Sequence, residues 1–290
     1  MLAGLRQALR HGSPALRRYA RELLKESAIA LTPEELRAAF TRERDPQVVE
    51  SLGAALAARA ARNQEPELVK TPLARAVGDS DPAVRAAAVR SLRGIGSVEA
   101  MGKTRSPGYE RLIRDPAPEV QQAVVDNLVS ESAKVYFGHD RTVAEKAVQV
   151  ATLAGDPGLA ARLLREVSTE QVGHGTVQEL LKMLSSGPPE VRAAAALALG
   201  GVPTGEAAVA RTALLDCYQK DTEVAVRRAV IESLVRLTMG AAPPLLESLR
   251  GVAPALAREL DLWQAALKTG LQEWHLLQRE KQRLEQQAPK

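Results

Sequence analysis

The chain has 290 residues, of which 45% are hydrophobic, 26% are charged and 3% are aromatic, so its core must be built mainly from Leu, Val and Ala. A formal net charge of +4 is too small to indicate a nucleic-acid partner by itself. The single cysteine, Cys217, excludes an internal disulfide and a cysteine-based zinc site, and it fits a reducing compartment.

The N-terminal segment, residues 1–26, is rich in arginine and has no uninterrupted apolar stretch of the kind that a secretory signal contains. Its few acidic residues leave a mitochondrial presequence as an alternative to an amphipathic first helix pair. The repeat pattern includes this segment, which favours the helix pair. The sequence has no stretch of about 18 apolar residues that would predict a membrane-spanning helix. We therefore expect a cytoplasmic protein.

A repeated helical pattern begins near the N-terminus and is most regular in residues 79–96, DSDPAVRAAAVRSLRGIG. Pro82 precedes an apolar anchor, Val84, by two residues, and apolar residues follow the anchor at four and eight residues. This spacing places the three apolar residues on one face of a helix. The corresponding anchors are Leu16, Val48, Val84, Val120, Leu159, Val191 and Val226. Their spacings of 32, 36, 36, 39, 32 and 35 residues predict about seven repeats of two helices each.

The helix starts carry recognisable capping residues. A polar side chain before the repeat proline can accept hydrogen bonds from the free N–H groups of the first turn. These expected caps are Ser13, Asp45, Asp81 and Asp156. Thr32 and Glu35 have the spacing of a capping box for a first helix. Pro72 predicts a bend or break in the first helix of the third repeat.

Two internal regions depart from the repeat. Residues 96–108 are polar and rich in glycine, which predicts a loop between helices rather than a regular helix. Within them, SVEAMGKT is close to a P-loop, but it has serine at the first glycine position and lacks the preceding strand that a P-loop needs. Residues 137–154 break at FGHD and then form a helix, which accounts for the longest spacing.

From Pro254 onward the sequence predicts one long helix. Its apolar residues follow a heptad, with Gly270 and Lys281 at the two remaining positions, which is typical of a coiled-coil seam. The seam residues are Leu256, Leu260, Trp263, Leu267, Trp274, Leu277 and Leu284. The first half could fold back as a cap, or residues 271–287 could leave the body and pair with another helix. We divide the chain into a repeat domain, 1–250, and a C-terminal helix, 251–290.

The sequence offers little that indicates catalysis. No two of the four histidines share a metal-ligand spacing. They are His11, His139, His174 and His275. Cys217 lies on a predicted helix with no histidine nearby in the sequence, so it is best interpreted as a buried small residue. We expect no enzyme activity, cofactor or metal.

Charged residues recur at two positions of the repeat. One residue after the anchor stand Arg17, Arg85, Arg192 and Arg227, which we interpret as structural arginines that pair with an acidic residue such as Asp81 in a neighbouring turn. Six residues after the anchor stand Glu22, Ala54, Arg90, Asp126, Arg165, Leu197 and Glu232. This second row mixes charges and carries no aromatic residue, whereas a groove for nucleic acid needs continuous positive charge. Nucleic-acid binding is therefore disfavoured.

The segments DPAVRAAAVRSLRGIG, GPPEVRAAAALALGGV and EVAVRRAVIESLVRL resemble the second helices of HEAT repeats, in particular the short bacterial kind related to the repeats of phycobilisome lyase subunits. The resemblance extends over about residues 3–250. It implies an all-α, right-handed solenoid of about seven helix pairs, with the second helices on the concave side. Such arrays serve as scaffolds, adaptors and regulatory subunits and occasionally as enzymes.

These observations predict a non-catalytic scaffold or adaptor that binds another protein with its concave surface and a second contact in the tail. The residues expected to bind the partner are Arg90, Asp126, Arg165, Glu232, Trp263, Trp274 and Leu277. The alternatives are an enzyme subunit or lyase-like chaperone that binds a small ligand and, less favoured, a nucleic-acid binder.

Overall fold

A computed structural model describes residues 2–63, 65–93, 96–104, 108–132 and 141–287. The contacts divide the chain into two compact units, Met1–Gly155 and Asp156–Lys290. The described residues form helices and connecting turns, with no strand among them. The predicted all-α class is confirmed.

The first unit contains ten α-helices in its described residues. Their bounds are α1 Leu2–Leu9, α2 Pro14–Ala30, α3 Pro33–Arg42, α4 Pro46–Asn63, α5 Lys70–Gly78, α6 Pro82–Arg90, α7 Ser97–Thr104, α8 Tyr109–Leu112, α9 Pro118–Ser132 and α10 Arg141–Leu153. A short 3-10 helix, Pro66–Val69, precedes α5, so the first helix of the third repeat is split near Pro72 as expected.

The second unit contains eight α-helices in its described residues. Their bounds are α11 Pro157–Glu166, α12 His174–Ser186, α13 Pro189–Leu199, α14 Ala207–Lys220, α15 Val224–Thr238, α16 Ala242–Leu249, α17 Ala257–Leu267 and α18 Trp274–Gln287. Three 3-10 helices, Thr204–Glu206, Met239–Ala241 and Pro254–Leu256, connect them.

Each unit is an α-solenoid built on stacked second helices. In the first unit α2 packs on α4, α4 on α6 and α6 on α9, while in the second unit α11 packs on α13 and α13 on α15. Burial of the anchor residues between neighbouring helices drives this stacking, because a repeat can bury its apolar face only against its neighbours. Val84 and Val226 are fully buried, whereas Leu16 at the open end of the first unit is 38% exposed.

Aspartate caps begin three of the second helices as predicted. Asp45 accepts a hydrogen bond from the N–H of Gln47 at 3.0 Å, and Asp81 accepts one from the N–H of Ala83 at 2.9 Å. Asp156 accepts bonds from the first turn of α11 in the same way. The capping box at the start of α3 is also present. The Ser13 hydroxyl makes no capping bond, so that prediction is wrong.

The polar segment that was expected to be a loop contains a helix, α7. Its N-terminus is anchored by the buried carboxylate of Glu131, which accepts a hydrogen bond from the N–H of Ser97 at 2.7 Å. Gly96 precedes it with φ of 72°, a left-handed conformation that glycine adopts readily. A negative side chain at the first N–H groups stabilises the helix despite its glycine content. The predicted break at residues 137–140 lies outside the described residues.

The predicted long C-terminal helix is instead a hairpin of two helices, α17 and α18, that pack on each other. Gly270, with φ of 73°, follows the last turn of α17 and stops the helix there. Trp263 and Trp274 stack across the hairpin with their ring centroids 5.5 Å apart. The hairpin packs within the second unit, where α17 contacts α15 and α16.

One segment, Val224–Leu249, has the length and the mean hydropathy, 1.2, of a membrane-spanning helix, although the sequence was not expected to contain one. It comprises α15, a 3-10 turn and α16, and α15 packs against α13. The bent pair Pro189–Leu199 and Thr204–Lys220 is together also long and apolar enough, with 119° between its halves. The core helices of water-soluble proteins share this length and composition.

Candidate functional site

The arginines that follow the anchors are used inside the repeats. Arg85 binds Asp115 with two hydrogen bonds of 2.9 and 2.8 Å, and Arg192 binds Asp221 with two of 2.7 and 3.0 Å. The structural role predicted for them is confirmed, but the acidic partner precedes the next second helix and is not Asp81.

Arg17 and Arg227, the other two arginines of this set, bind backbone carbonyls. Arg227 donates to the carbonyl of Tyr218 at 3.0 Å, and Arg17 donates to that of His11 at 2.7 Å. All four guanidinium groups therefore have partners within their own unit. This leaves the row six residues after the anchors as the candidate binding surface.

In the first unit this row presents paired charges at the surface. Arg90 on α6 donates to Glu50 on α4 at 2.8 Å, with the two side chains 32% and 44% exposed. Asp126 on α9 accepts a hydrogen bond from Gln122 at 2.9 Å and lies 3.5 Å from Arg93. Arg90 and Asp126 are each partly exposed, and the sequence did not identify their neighbours. We call Glu50, Arg90, Arg93, Gln122 and Asp126 the first charged row.

In the second unit the row is less continuous. Arg165 at the end of α11 is exposed, and no described residue forms an ion pair with it. Leu197 on α13 is half-buried. Glu232 on α15 accepts a hydrogen bond from Gln278 of α18 at 2.8 Å. Burial raises the pKa of Glu232, and the hydrogen bond from Gln278 and the charge of Lys281 offset only part of that rise.

The tail residues that were predicted to bind a partner pack within the chain. Trp263 is 2% exposed, Leu277 is fully buried and Trp274 is half-buried against the Trp263 ring. Because α18 folds back, the apolar seam is covered by the hairpin itself. In this conformation Trp263 and Leu277 offer no surface to a partner, which corrects the prediction of a free seam.

Polar contacts also fix α18 to its neighbours. Lys281 lies 2.9 Å from Glu259 of α17, with both side chains largely buried, and its ammonium group lies 5.8 Å from the centroid of the Trp263 ring. Arg236 of α15 lies over the Trp274 ring at 5.7 Å. Burial lowers the pKa of Lys281, but the hydrogen bonds and charges of Glu259 and Glu285 outweigh it and leave the pKa raised. The surface of α15 and α17 that receives α18 is called the α18 seat.

A buried polar cluster in the first unit was not found from the sequence. The Ser97 hydroxyl lies 2.5 Å from Glu131 and 2.5 Å from the hydroxyl of Tyr109. Asn127 donates to the carbonyl of Val89 at 2.6 Å and to the Tyr109 hydroxyl at 3.2 Å. Burial and the charge of Glu131 raise the pKa of Tyr109. All four side chains are buried, so the cluster joins α7 and α8 to α9 rather than facing a substrate.

Among the described residues no group of three or more His, Cys, Asp and Glu side chains could hold a metal ion. His174 pairs with Glu206 at 3.0 Å on the surface, and His139 lies outside the described residues. Cys217 is half-buried beside an open groove of about 580 Å³ between α12 and α14. Burial and the nearby Asp221 raise the pKa of Cys217 to about 11, so the thiol is protonated at neutral pH.

Comparison with solved structures shows similarity to two engineered proteins. The first is 16% identical over 96% of this chain and 76% of the other, with a TM-score of 0.45. The second is 17% identical over 81% of this chain and 98% of the other, with a TM-score of 0.37. The complex of CpcE and CpcF of phycocyanin lyase from Nostoc sp. PCC7120 is 16% identical over 86% of this chain and 93% of the other, with a TM-score of 0.31.

None of the curated proteins compared with the chain matches it in sequence. The family model of HEAT repeats matches residues 138–235 and 177–260. Those residues include the second helices α11, α13 and α15, whose anchors recur at the predicted spacing and whose packing is that of a helical repeat. The family match therefore identifies HEAT repeats in residues 138–260, and the first unit shows the same stacking of second helices.

Proposed function

We propose that the chain is a non-catalytic, cytoplasmic adaptor that binds another protein through the row of residues that lies six positions after the anchors of its second helices. The observation that carries this proposal is the contrast between two sets of charges. Arg85 and Arg192 are 13% and 20% exposed and are committed to Asp115 and Asp221. Arg90 and its partner Glu50 also join neighbouring repeats, but their side chains are 32% and 44% exposed, so water screens this pair more strongly.

The energetics of the first charged row favour exchange with a partner. Ion pairs as exposed as Arg90–Glu50 contribute about 0–1 kcal/mol to folding. A partner that supplies its own charges can therefore replace these pairs at little cost to the stability of the fold. Because Arg90 and Asp126 lie on helices held by the repeat core, little backbone order has to be gained on binding. Charges of both signs then select the partner by electrostatic complementarity.

Charge reversal tests the proposal. The double variant Arg90→Glu and Arg165→Glu changes the row in both units, and the matched control, Arg42→Glu and Arg211→Glu, reverses two exposed arginines on the first helices α3 and α14. Affinity purification from the native host with quantitative mass spectrometry compares the bound proteins. We expect a partner that the wild type and the control retain and the double variant loses. Retention of every partner by a double variant with native circular dichroism would contradict the proposal.

The same purification distinguishes the alternative functions. A small ligand that co-purifies with the wild type would favour a lyase-like role in place of an adaptor. Binding to DNA or RNA that weakens steeply with salt would favour a nucleic-acid binder. The mixed signs of Glu50, Arg90 and Asp126 oppose the second alternative, because phosphate backbones select continuous positive surfaces.

A further inference from the structure

The heptad seam of the tail continues on both sides of Gly270. Leu267 and Trp274 lie three and four residues from Gly270, and Trp263 and Leu277 each lie seven residues from it. Such a pattern predicts one continuous helix, yet the chain turns back at its centre. The sequence therefore fits a second arrangement in addition to the hairpin, one in which α17 and α18 are continuous.

Gly270 has a distinctive conformation in the turn between α17 and α18. The connection between α17 and α18 comprises residues 268–273, which include no proline. Gly270 alone among them has a positive φ, 73°, and a Cβ added there would meet no atom within 4 Å. A side chain at Gly270 would therefore be disfavoured by the backbone conformation and not by a clash with its surroundings. A helical conformation at Gly270 and at the residues that follow it would allow the helix to continue through the connection.

The α18 seat recognises α18 through contacts that do not depend on the connection. Glu259 and Glu232 receive Lys281 and Gln278, while the Trp263 ring receives Trp274. A copy of α18 from another molecule carries the same side chains at the same spacing. It can therefore occupy the seat as well as the chain's own α18 does.

We propose that α18 exchanges between two copies of this chain to form a domain-swapped dimer. In the dimer, residues 257–287 of each copy form one continuous helix, and α18 of each copy lies on the α18 seat of the other. The two long helices run antiparallel, and Gly270 lies near the middle of each. Exchange of an identical element conserves every contact except those of the hinge, so it opens a low-cost route to dimers.

The first test changes the hinge. Alanine is disfavoured at the positive φ of Gly270 and favoured over glycine in a helix. Gly270→Ala should therefore raise the equilibrium constant from turn to continuous helix about 30-fold at each hinge. With two hinges per dimer, the dimer dissociation constant should fall about 1,000-fold. Analytical ultracentrifugation of the full chain over a concentration series measures it. The matched control is Gly205→Ala, which has open space and no positive φ and should behave as the wild type.

The second test identifies which helix occupies the seat. Glu259→Lys and Lys281→Glu each break the Glu259–Lys281 pair, in the hairpin and in a dimer of identical copies. An exchanged dimer that contains one copy of each variant has two contacts between positions 259 and 281. One contact pairs glutamate at 259 with lysine at 281, as in the wild type, and the other pairs lysine at 259 with glutamate at 281. Native mass spectrometry of an equimolar mixture should show this mixed dimer well above the level of either variant alone.

Two results would overturn the proposal. One is a Gly270→Ala chain that remains folded and monomeric at every concentration tested. The other is an equimolar mixture of Glu259→Lys and Lys281→Glu whose species are only those of the separate variants. A Gly270→Ala dimer that forms without the mixed dimer would show association through another surface and would count against exchange.

Discussion

The pair formed by Arg192 and Asp221 should contribute strongly to the stability of the second unit. Arg192 is near the start of α13, and Asp221 lies in the turn between α14 and α15, so the pair joins successive repeats. Asp221 accepts two hydrogen bonds from Arg192 and one from the N–H of Glu223 at 2.9 Å. The variant Asp221→Ala removes all three and leaves a guanidinium group that is only 20% exposed.

The size of the effect follows from this geometry. Hydrogen bonds to charged groups contribute about 1.5–3 kcal/mol each, and loss of one partner of a fully buried pair costs about 3–5 kcal/mol. Because water reaches Arg192, we expect Asp221→Ala to lower the free energy of unfolding by about 3 kcal/mol. In a double-mutant cycle with Arg192→Ala, the coupling energy should be about 2 kcal/mol.

Tryptophan fluorescence during urea unfolding measures the effect in the correct unit, because both tryptophans, Trp263 and Trp274, lie in the second unit. The exposed pair Lys220–Asp216 on α14 is the matched control, and its coupling should be about 0.3–0.5 kcal/mol. A coupling energy for Arg192–Asp221 no larger than that of the control pair would refute the argument that partial burial and two hydrogen bonds make this pair strong.

The pair also predicts a dependence on pH. Burial raises the pKa of Asp221, but the hydrogen bonds from Arg192 and the Glu223 N–H and the charge of Arg192 lower it below its ordinary value of 3.8. The folded state therefore binds its proton at a lower pH than the unfolded state. The stability from Asp221 is complete above the unfolded pKa, near 4, and is lost as the pH falls through the folded pKa. The difference between wild type and Asp221→Asn should shrink correspondingly below pH 4.

Three further substitutions or reactions test other parts of the structure. Gly200→Ala places a Cβ 2.8 Å from the Cα of Ser233, which should cost about 1–3 kcal/mol in urea unfolding because α13 and α15 must separate. Glu131→Ala removes the anchor of α7, so hydrogen exchange of the α7 amides should accelerate while exchange in the second unit stays unchanged. The raised pKa of Cys217, about 11, predicts that a disulfide reagent at pH 8 modifies the native thiol roughly 10-fold more slowly than the unfolded one, because the smaller thiolate fraction is partly offset by the higher reactivity of a more basic thiolate; equal rates would contradict its burial.

The repeat could be predicted from the sequence because its signal is local and periodic. Val84 and the residues four and eight positions later define one helical face, and the same offsets recur at every anchor. The end of α17 was not predicted, because a heptad describes only the spacing of apolar side chains. That spacing continues through Gly270 and carries no information on the backbone conformation there. The glycine itself was the signal that the helix could stop there.

The polar contacts could not be predicted because they join residues from different repeats. Arg85 binds Asp115, which lies thirty residues later in the next repeat. The pattern of residues within one repeat does not identify that partner. Asn127 and Glu131 are different, because they lie on the apolar side of α9, and the repeat of α13 has Ala198 and Val202 at the corresponding offsets. Polar residues at a buried repeat position were the available signal for the cluster around Tyr109.

The position of α18 limits which residues of the second unit can serve the proposed adaptor function. While α18 is docked, Glu232 is held by Gln278, and a partner meets only Arg165 and the half-buried Leu197. Exchange of α18 leaves Glu232 covered, because the α18 of another copy brings its own Gln278. Only displacement of α18 without replacement would give a partner access to Glu232. A partner whose affinity depends on Glu232 in the full chain would therefore have to compete with α18, whereas one that depends on Arg90 would not.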